Sequence, residues 1–249
     1  MNKTVEIKSC FLFVFIALSC LNLLIFSPAN AQSSELDKHH QFTTKLVEGQ
    51  KWLPGKNIIE QSYSRVSSLN DYVFDSELKA LSKGKLSDNG GKFYYKKTNR
   101  LRIEVKSKGR NNGAVVVKKD DGTIRGAGGG ILKFIKMNLE PNSRMLILPN
   151  GLNVVQSDYK SLIANLRGKL NSGHVATVTA GSVSLYNWSG PVKVVDVKKG
   201  NILTDRIFVS AATNVPVEWN IYSNGRLVSI AYFKNFKSNI GLNDNLFNI

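Results

Sequence analysis

Two strand-like runs near the end of the chain flank the dipeptide Asn224-Gly225. Asparagine followed by glycine tolerates positive φ at both positions, which favours a tight type I′ turn between antiparallel strands. A two-residue loop also sets the register, and side chains alternate between the faces of a strand. We therefore predict a hairpin with one apolar and one more polar face. The predicted apolar face consists of Val217, Trp219, Ile221, Val228, Ile230 and Tyr232.

The same period of two runs through much of the chain from residue 71 onwards, which is typical of strands with one buried face. The predicted strands include residues 72–82, 92–98, 101–106 and 131–137 and, closer to the end, a group within about 175–237. Asp88-Asn89-Gly90-Gly91 is predicted to be a turn, because its residues favour turns. Leu101, Ile103 and Val105 share one face of their strand and extend the predicted apolar surface.

Helical spacing of apolar residues appears in three places. Two helices are predicted within about 34–67, the first with Ser34 as its N-cap and the second over 57–67. A third is predicted within about 157–170, where Ser157-Asp158 can cap a helix. A long series of strands with few helices predicts an α+β fold dominated by one antiparallel sheet.

The C-terminal motifs resemble those of the LolA/LolB-type lipoprotein carriers. The matching pieces are Val215-Pro216-Val217-Glu218-Trp219, Asn224-Gly225-Arg226-Leu227-Val228, and Asn239-Ile240-Gly241-Leu242 followed by Asp244, Leu246 and Phe247. The resemblance implies a single domain over 32–249, in which a strongly curved sheet forms a half-barrel and helices cover its concave face. It also implies that the helix at 157–170 serves as a lid, and that the protein is a non-catalytic periplasmic carrier or chaperone for lipid or for the acyl chains of lipoproteins sorted to the outer membrane.

By the same resemblance, Lys97 takes the place of an arginine that helps to hold the lid closed. Lysine is a point charge and lacks the planar hydrogen-bonding fork of arginine. This departure puts a lid latch of the usual kind in doubt.

The first 31 residues have the pattern of a secretory signal peptide. Lys3 and Lys8 form a basic start, residues 11–26 are mostly apolar, and Ala29-Asn30-Ala31 is a small-x-small cleavage site. Cleavage would give a mature periplasmic protein that begins at Gln32; the alternative is a membrane tether formed by the uncleaved segment. Both cysteines, Cys10 and Cys20, lie in this segment, so the mature chain would have neither disulfides nor thiolate ligands.

The charge of the chain is strongly basic. Its 249 residues include 34 Lys and Arg against 18 Asp and Glu, a formal net charge of +16. Such an excess favours anionic surfaces as partners. Residues 92–110 combine eight basic residues with Phe93, Tyr94 and Tyr95, a composition that also occurs in nucleic-acid platforms. Export makes a nucleic-acid partner unexpected, so we interpret this segment as a sheet with a basic solvent face.

Catalytic motifs are absent from the sequence. A Ser-His-Asp triad could use only the three histidines, His39, His40 and His174, and no Gly-x-Ser-x-Gly elbow occurs in the sequence. The zinc motif His-Glu-x-x-His is absent as well. We therefore predict no enzyme activity, no metal and no cofactor. Two alternatives remain at this stage. One is an envelope sensor or adaptor that binds a protein partner, such as a membrane protein of the envelope; the other is an enzyme acting on an anionic envelope polymer through carboxylates that are distant in sequence.

Overall fold

The computed structural model describes residues 28–107 and 111–249, with side chains from residue 35 onwards. This part of the chain contains three α-helices: α1 (Pro28–Leu46), α2 (Lys56–Ser68) and α3 (Tyr159–Asn171). It also contains thirteen strands that belong to one antiparallel sheet. The predicted α+β class with a large curved antiparallel sheet is confirmed.

The strands follow one another mostly as hairpins. They are β1 (Trp52–Pro54), β2 (Asp71–Ser82), β3 (Lys85–Lys96), β4 (Arg100–Ser107), β5 (Val115–Lys118), β6 (Ile124–Ala127), β7 (Lys136–Leu139), β8 (Val175–Thr179), β9 (Val183–Ser184), β10 (Pro191–Lys199), β11 (Ile202–Ser210), β12 (Pro216–Ser223) and β13 (Arg226–Ser238). Their spatial order is β1-β8-β10-β11-β12-β13-β2-β3-β4-β5-β6-β7, and β9 pairs with β10. The β13–β2 pair joins the two halves of the chain, and β7 is the last strand at one edge.

The sheet is covered on both faces. Helices α2 and α3 pack on the face that we call the inner face, where they share the main apolar cluster with side chains such as Trp219 and Ile207. Helix α1 packs on the opposite face, which we call the α1 face, through Leu36 and through polar contacts to Glu218 and Asn220. Alternation along β12 produces this division, because Trp219 points away from both of its neighbours.

The predicted turn of the C-terminal hairpin is confirmed, but the predicted register is wrong. Asn224 and Gly225 have φ of 49° and 75°, and Ser223 pairs with Arg226 across a two-residue loop. One pair further on, a β-bulge intervenes and Ile221 pairs with Ser229 instead of Val228. A bulge adds one residue to one strand, so every later side chain of β13 changes face relative to β12. The six apolar residues therefore do not share one face.

The predicted turn at Asp88-Asn89-Gly90-Gly91 is also wrong. The chain turns at Lys83 and Gly84, which have φ of 50° and 75°, and the next twelve residues form β3. Gly90 and Gly91 are needed for close packing between strands. A Cβ atom on Gly90 would lie 3.1 Å from the carbonyl oxygen of Ser76 and 3.3 Å from that of Lys106.

The helix predictions hold better. Helix α2 covers the predicted span, and α3 is capped by Asp158, whose carboxylate accepts from the backbone of Lys160 and Ser161. Helix α1 begins at Pro28, so Ser34 lies inside the helix and is not its N-cap. Proline is well tolerated in a first helical turn. Residues 1–27 of the predicted signal lie outside the described residues, so the signal stays a prediction.

The region predicted as a strand over 131–137 is different in the structure. A 3₁₀ turn occupies Gly130–Leu132, and the strand β7 begins only at Lys136. None of the described helices combines the length and the hydropathy needed to cross a membrane.

Candidate functional site

The inner face carries an aromatic cluster from three neighbouring strands, into which the first residue of α3 inserts. The rings of Tyr72 and Tyr95 stack at 4.6 Å between centroids, and those of Phe74 and Phe93 at 4.8 Å. Tyr159 of α3 lies 4.4 Å from Phe74. Aromatic side chains bury large apolar areas, so this cluster stabilises the closed position of α3 on the sheet.

The N-terminus of α3 is tied to the sheet through its cap residue. The Tyr72 hydroxyl donates to Asp158 Oδ1 at 2.8 Å, while Asp158 also accepts from the backbone N–H of Lys160 and Ser161. Burial raises the pKa of Tyr72 well above its usual value, and the charge of Asp158 and the hydrogen bond to it raise it further. The phenol therefore stays protonated and remains a donor over the physiological pH range.

The C-terminal part of α3 is tied to the sheet by an ion pair. Lys169 Nζ lies 2.7 and 2.8 Å from the two carboxylate oxygens of Asp205, a side chain that is 1% exposed. Trp219 Nε1 donates to Asp205 Oδ1 at 3.1 Å, and the Thr204 hydroxyl donates to Oδ2 at 2.8 Å. Asp205 thus connects α3 to the indole of Trp219 in β12.

Helices α2 and α3 also contact each other near the surface. Arg167 Nε donates to Glu60 Oε1 at 3.0 Å, and the guanidinium carbon lies 4.1 Å from the centroid of the Tyr63 ring. Both members of this ion pair are more than one third exposed, so the pair adds little stability. The pair joins α2 to α3 and not to the sheet.

The space between the helices and the sheet is almost completely filled. The cavity there has a volume of about 10 Å³ and is lined by apolar side chains that include Ile59, Leu166 and Val195. Pockets for small ligands typically measure about 300–1,000 Å³. In the described conformation this cavity is therefore far too small for such a ligand.

The structure places five of the predicted binding residues on the inner side. Leu101 and Ile103 are buried in the inner cluster, and Val105 follows them along β4, half-buried. Trp219 is buried in the same cluster, and Ile221 packs against it. The cluster also contains residues that sequence reasoning missed as site residues: Tyr72, Phe74, Phe93, Tyr95, Tyr159 and Phe233. Their spacing of two along β2 and β3 is the signal that places each pair on one face.

The other predicted residues lie elsewhere. Val217 is packed with Phe208 and Val194 under the end of α1, because a bulge in the β11–β12 pairing leaves it unpaired. Ile230 and Tyr232 pack with Leu36 of α1. Val228 is half-buried at the bulge of β13, and the side chain of Lys97 is exposed in the turn between β3 and β4.

The α1 face holds a group of buried polar side chains between α1 and the sheet. His39 Nε2 lies 2.7 Å from Glu218 Oε1, and Asn220 Nδ2 donates to the same oxygen at 3.0 Å. Next to them, Arg206 Nε and Nη2 donate to the two oxygens of Asp196 at 2.7 and 2.9 Å. The Arg206 Nη1 atom donates to the carbonyl oxygen of Thr43 in α1 at 3.1 Å. These contacts join α1 to the sheet through buried polar groups, while Glu218 Oε2 and Asn220 Oδ1 have no hydrogen-bond partner in the described part of the chain.

The open groove beside α2, of about 600 Å³, has one carboxylate among its lining residues, that of Glu60, which is paired with Arg167. Within residues 28–107 and 111–249, no group of three or more His, Cys, Asp and Glu side chains is arranged to hold a metal ion. The inner face is mainly apolar, and its polar contacts to α3 include those of Asp158 and Asp205.

Comparison with known proteins gives structural similarity only. No protein-family model matches the sequence, and no curated protein matches it. The chain is similar to an uncharacterized conserved protein from Thermus thermophilus, with a TM-score of 0.49, 10% identity, and coverage of 78% of this chain and 93% of that one. It is similar to MucB with a TM-score of 0.49 and 13% identity, over 79% of this chain and 64% of MucB.

A LolA superfamily protein from Nitrosomonas europaea is similar with a TM-score of 0.43 and 9% identity, over 79% of this chain and 98% of that one. The LolA superfamily is thus represented among the solved structures to which this chain is similar. At these TM-scores and identities the similarity gives no information on ligand or partner.

Proposed function

We propose that the protein binds a lipid, or the acyl chains of a lipoprotein, between the inner face of its sheet and the lid helix α3. In this proposal it is a non-catalytic binding or carrier protein of the periplasm. The observation that carries the proposal is the inner face itself, a surface of aromatic and aliphatic side chains with the buried carboxylate of Asp205 beside them. A helix that is fastened through identifiable polar contacts covers this face. The aromatic and aliphatic side chains under α3 are the surface that an acyl chain would contact.

The energetics of exchange support such a role. Each buried methylene contributes roughly 0.8 kcal/mol, so one long acyl chain can contribute roughly 10 kcal/mol before the costs of association. Lifting α3 exposes its own apolar residues, Tyr159, Leu162, Ile163 and Leu166, which now fill the site. An acyl chain that takes their place against the sheet offsets this loss. The lid and the ligand therefore compete for one surface.

The polar contacts that join α3 to the sheet include that of Lys169 with Asp205 and that of Tyr72 with Asp158. Breaking them adds to the free-energy cost of moving α3 off the sheet. The ion pair of Lys169 with Asp205 is the more accessible of the two, because the Lys169 side chain is 36% exposed. The tie of Tyr72 to Asp158 is buried and also caps the helix. A change at Lys169 therefore perturbs lid opening without removing the cap.

Replacement of Lys169 by methionine should weaken the closed state. We expect the free energy of unfolding to fall by about 1–3 kcal/mol, between the values for exposed and buried pairs. If the open state binds the ligand, apparent affinity for a fluorescent fatty-acyl probe should rise roughly 3- to 10-fold, since the competent state becomes more populated. Urea denaturation measures the free energy of unfolding. Stopped-flow fluorescence with the probe gives the rate of binding and, from the association and dissociation rates, the affinity.

Lys56→Met is the matched control for this change. It removes the same charge from an exposed position at the start of α2 and should alter neither quantity. If Lys169→Met lowers stability and leaves both the rate and the affinity of probe binding at the parent values, α3 is not the lid of a binding site. Absence of probe binding by the parent protein would contradict the proposal as a whole.

A further inference from the structure

Residues 128–137, which follow β6 and include the first two residues of β7, form a projection that we call the apolar knuckle. Five large apolar side chains are exposed there: Ile131, Leu132, Phe134, Ile135 and Met137. Ile131 is 92% exposed and Phe134 is 79% exposed. Single exposed apolar side chains are ordinary, but a contiguous group of them marks a site of interaction with a protein or a membrane.

Backbone hydrogen bonds within the knuckle give it a defined conformation. The backbone N–H of Gly128 donates to the carbonyl oxygen of Ile135 at 3.2 Å and closes its base. Within it, Leu132 donates to Gly129 at 3.0 Å and Ile135 donates to Leu132 at 2.9 Å. Side chains at Gly128 and Gly129 would overlap the backbone of Leu132 and Asn112, so the glycines permit this close packing. Local hydrogen bonds thus hold the apolar side chains outward.

The charges around these side chains have one sign. Residues 122–139 contain Arg125, Lys133 and Lys136 but neither Asp nor Glu. Lys133 Nζ lies 5.1 Å from the centroid of the Phe134 ring, so a cation sits directly beside an exposed aromatic side chain. Lysine side chains can lay their methylenes along an apolar surface and keep the ammonium group in a polar layer. The knuckle also continues into β7, the edge strand of the sheet, and its large apolar side chains are exposed.

We propose that the apolar knuckle docks the protein on the surface of a bilayer that contains anionic lipids. Ile131 and Phe134 enter the boundary between head groups and acyl chains, and Lys133 and Lys136 contact the anionic head groups. Charge complementarity favours this occupant, because cations alternate with apolar side chains on a projecting tip. The proposal concerns the location of the protein and holds whether or not α3 covers a lipid site.

Vesicle co-sedimentation of the full chain tests this proposal. The vesicles contain phosphatidylglycerol and phosphatidylethanolamine, with phosphatidylcholine vesicles as the neutral comparison. We expect the parent to sediment with the anionic vesicles and Ile131→Ser/Phe134→Ser to bind them at least about tenfold more weakly. Val175→Ser/Ile202→Ser, which changes two other exposed apolar residues, should bind like the parent. Thermal unfolding of each variant checks that the fold is retained.

A second pair of variants tests the charges. Lys133→Gln/Lys136→Gln should lose binding to anionic vesicles by roughly tenfold, whereas Lys45→Gln/Lys51→Gln, also exposed, should lose much less. If the serine variant unfolds, the lysine variant and its control still test the proposal. The proposal is overturned if the parent does not sediment with anionic vesicles, or if the knuckle variants and their controls sediment alike. If the knuckle binds a protein and not lipid, the knuckle variants and their controls should sediment alike.

Discussion

Replacement of Trp219 by alanine is expected to lower the free energy of unfolding by about 3–5 kcal/mol. The indole is 6% exposed within the inner cluster, and its N–H donates to the buried carboxylate of Asp205. The change would leave a cavity under α3 and remove one of the donors that satisfy Asp205. Chemical denaturation in urea measures the loss.

Two other substitutions separate the contributions. Trp219→Phe keeps most of the apolar volume and loses the N–H donor, so it should cost much less than alanine. Trp188→Ala removes an indole that is only partly buried, and should also cost less. If Trp219→Ala leaves the urea midpoint near that of the parent and abolishes acyl-probe binding, the indole lines an open site and the closed packing described above is wrong.

Replacement of Arg206 by methionine is expected to cost about 3–5 kcal/mol, because it leaves the carboxylate of Asp196 buried without its cation. Both side chains are buried and joined by two hydrogen bonds. Burial alone would lower the pKa of Arg206, but the hydrogen bond and charge of Asp196 outweigh it and raise the pKa. The variant also loses the contact from Arg206 to Thr43, so α1 should become more accessible to hydrogen exchange.

The double variant Arg206→Met/Asp196→Leu is the control for that change. It removes both charges and fills the space with apolar atoms, so much of the lost stability should return. If Arg206→Met costs less than about 1 kcal/mol, the pair is solvated as a surface pair would be. The Arg206–Asp196 pair would then not be what holds α1 on the sheet.

Local signals in the sequence predicted the parts of the fold that local conformation decides. A type I′ turn requires positive φ at both central positions, which Asn224 and Gly225 tolerate, and the turn forms there. Asp158 caps α3 because its short carboxylate can reach the first free N–H groups of the helix. These features depend on a few consecutive residues.

Pairing between strands decided what local signals could not. Asp88-Asn89-Gly90-Gly91 has turn chemistry, but β3 is paired with both β2 and β4 along this stretch, and the glycines serve close strand packing. The bulge beyond Tyr222 shifts the register through contacts made across the sheet. One added residue moves Ile230 and Tyr232 to the α1 face, which divides the predicted apolar face.

The polar contacts that join α3 to the sheet were also beyond local prediction. Tyr72 and Asp158 are 86 residues apart, and Lys169 and Asp205 are 36 residues apart. Nothing in either neighbourhood indicates the partner. The resemblance to a known family drew attention to Lys97 instead, whose side chain is exposed in the structure. The assignment of Lys97 to a lid contact stays a prediction.

The most direct test of lipid binding on the inner face is photo-crosslinking with a diazirine-bearing fatty-acyl probe, followed by peptide mapping. We expect saturable labelling of Leu101, Ile103, Trp219, Ile221 and the buried side of α3, suppressed by excess unlabelled lipid. Label confined to Val217, Ile230 and Tyr232 would place the ligand on the α1 face, and label confined to residues 131–137 would reflect only surface docking. Either pattern, or the absence of saturable labelling, would contradict a lipid site under α3.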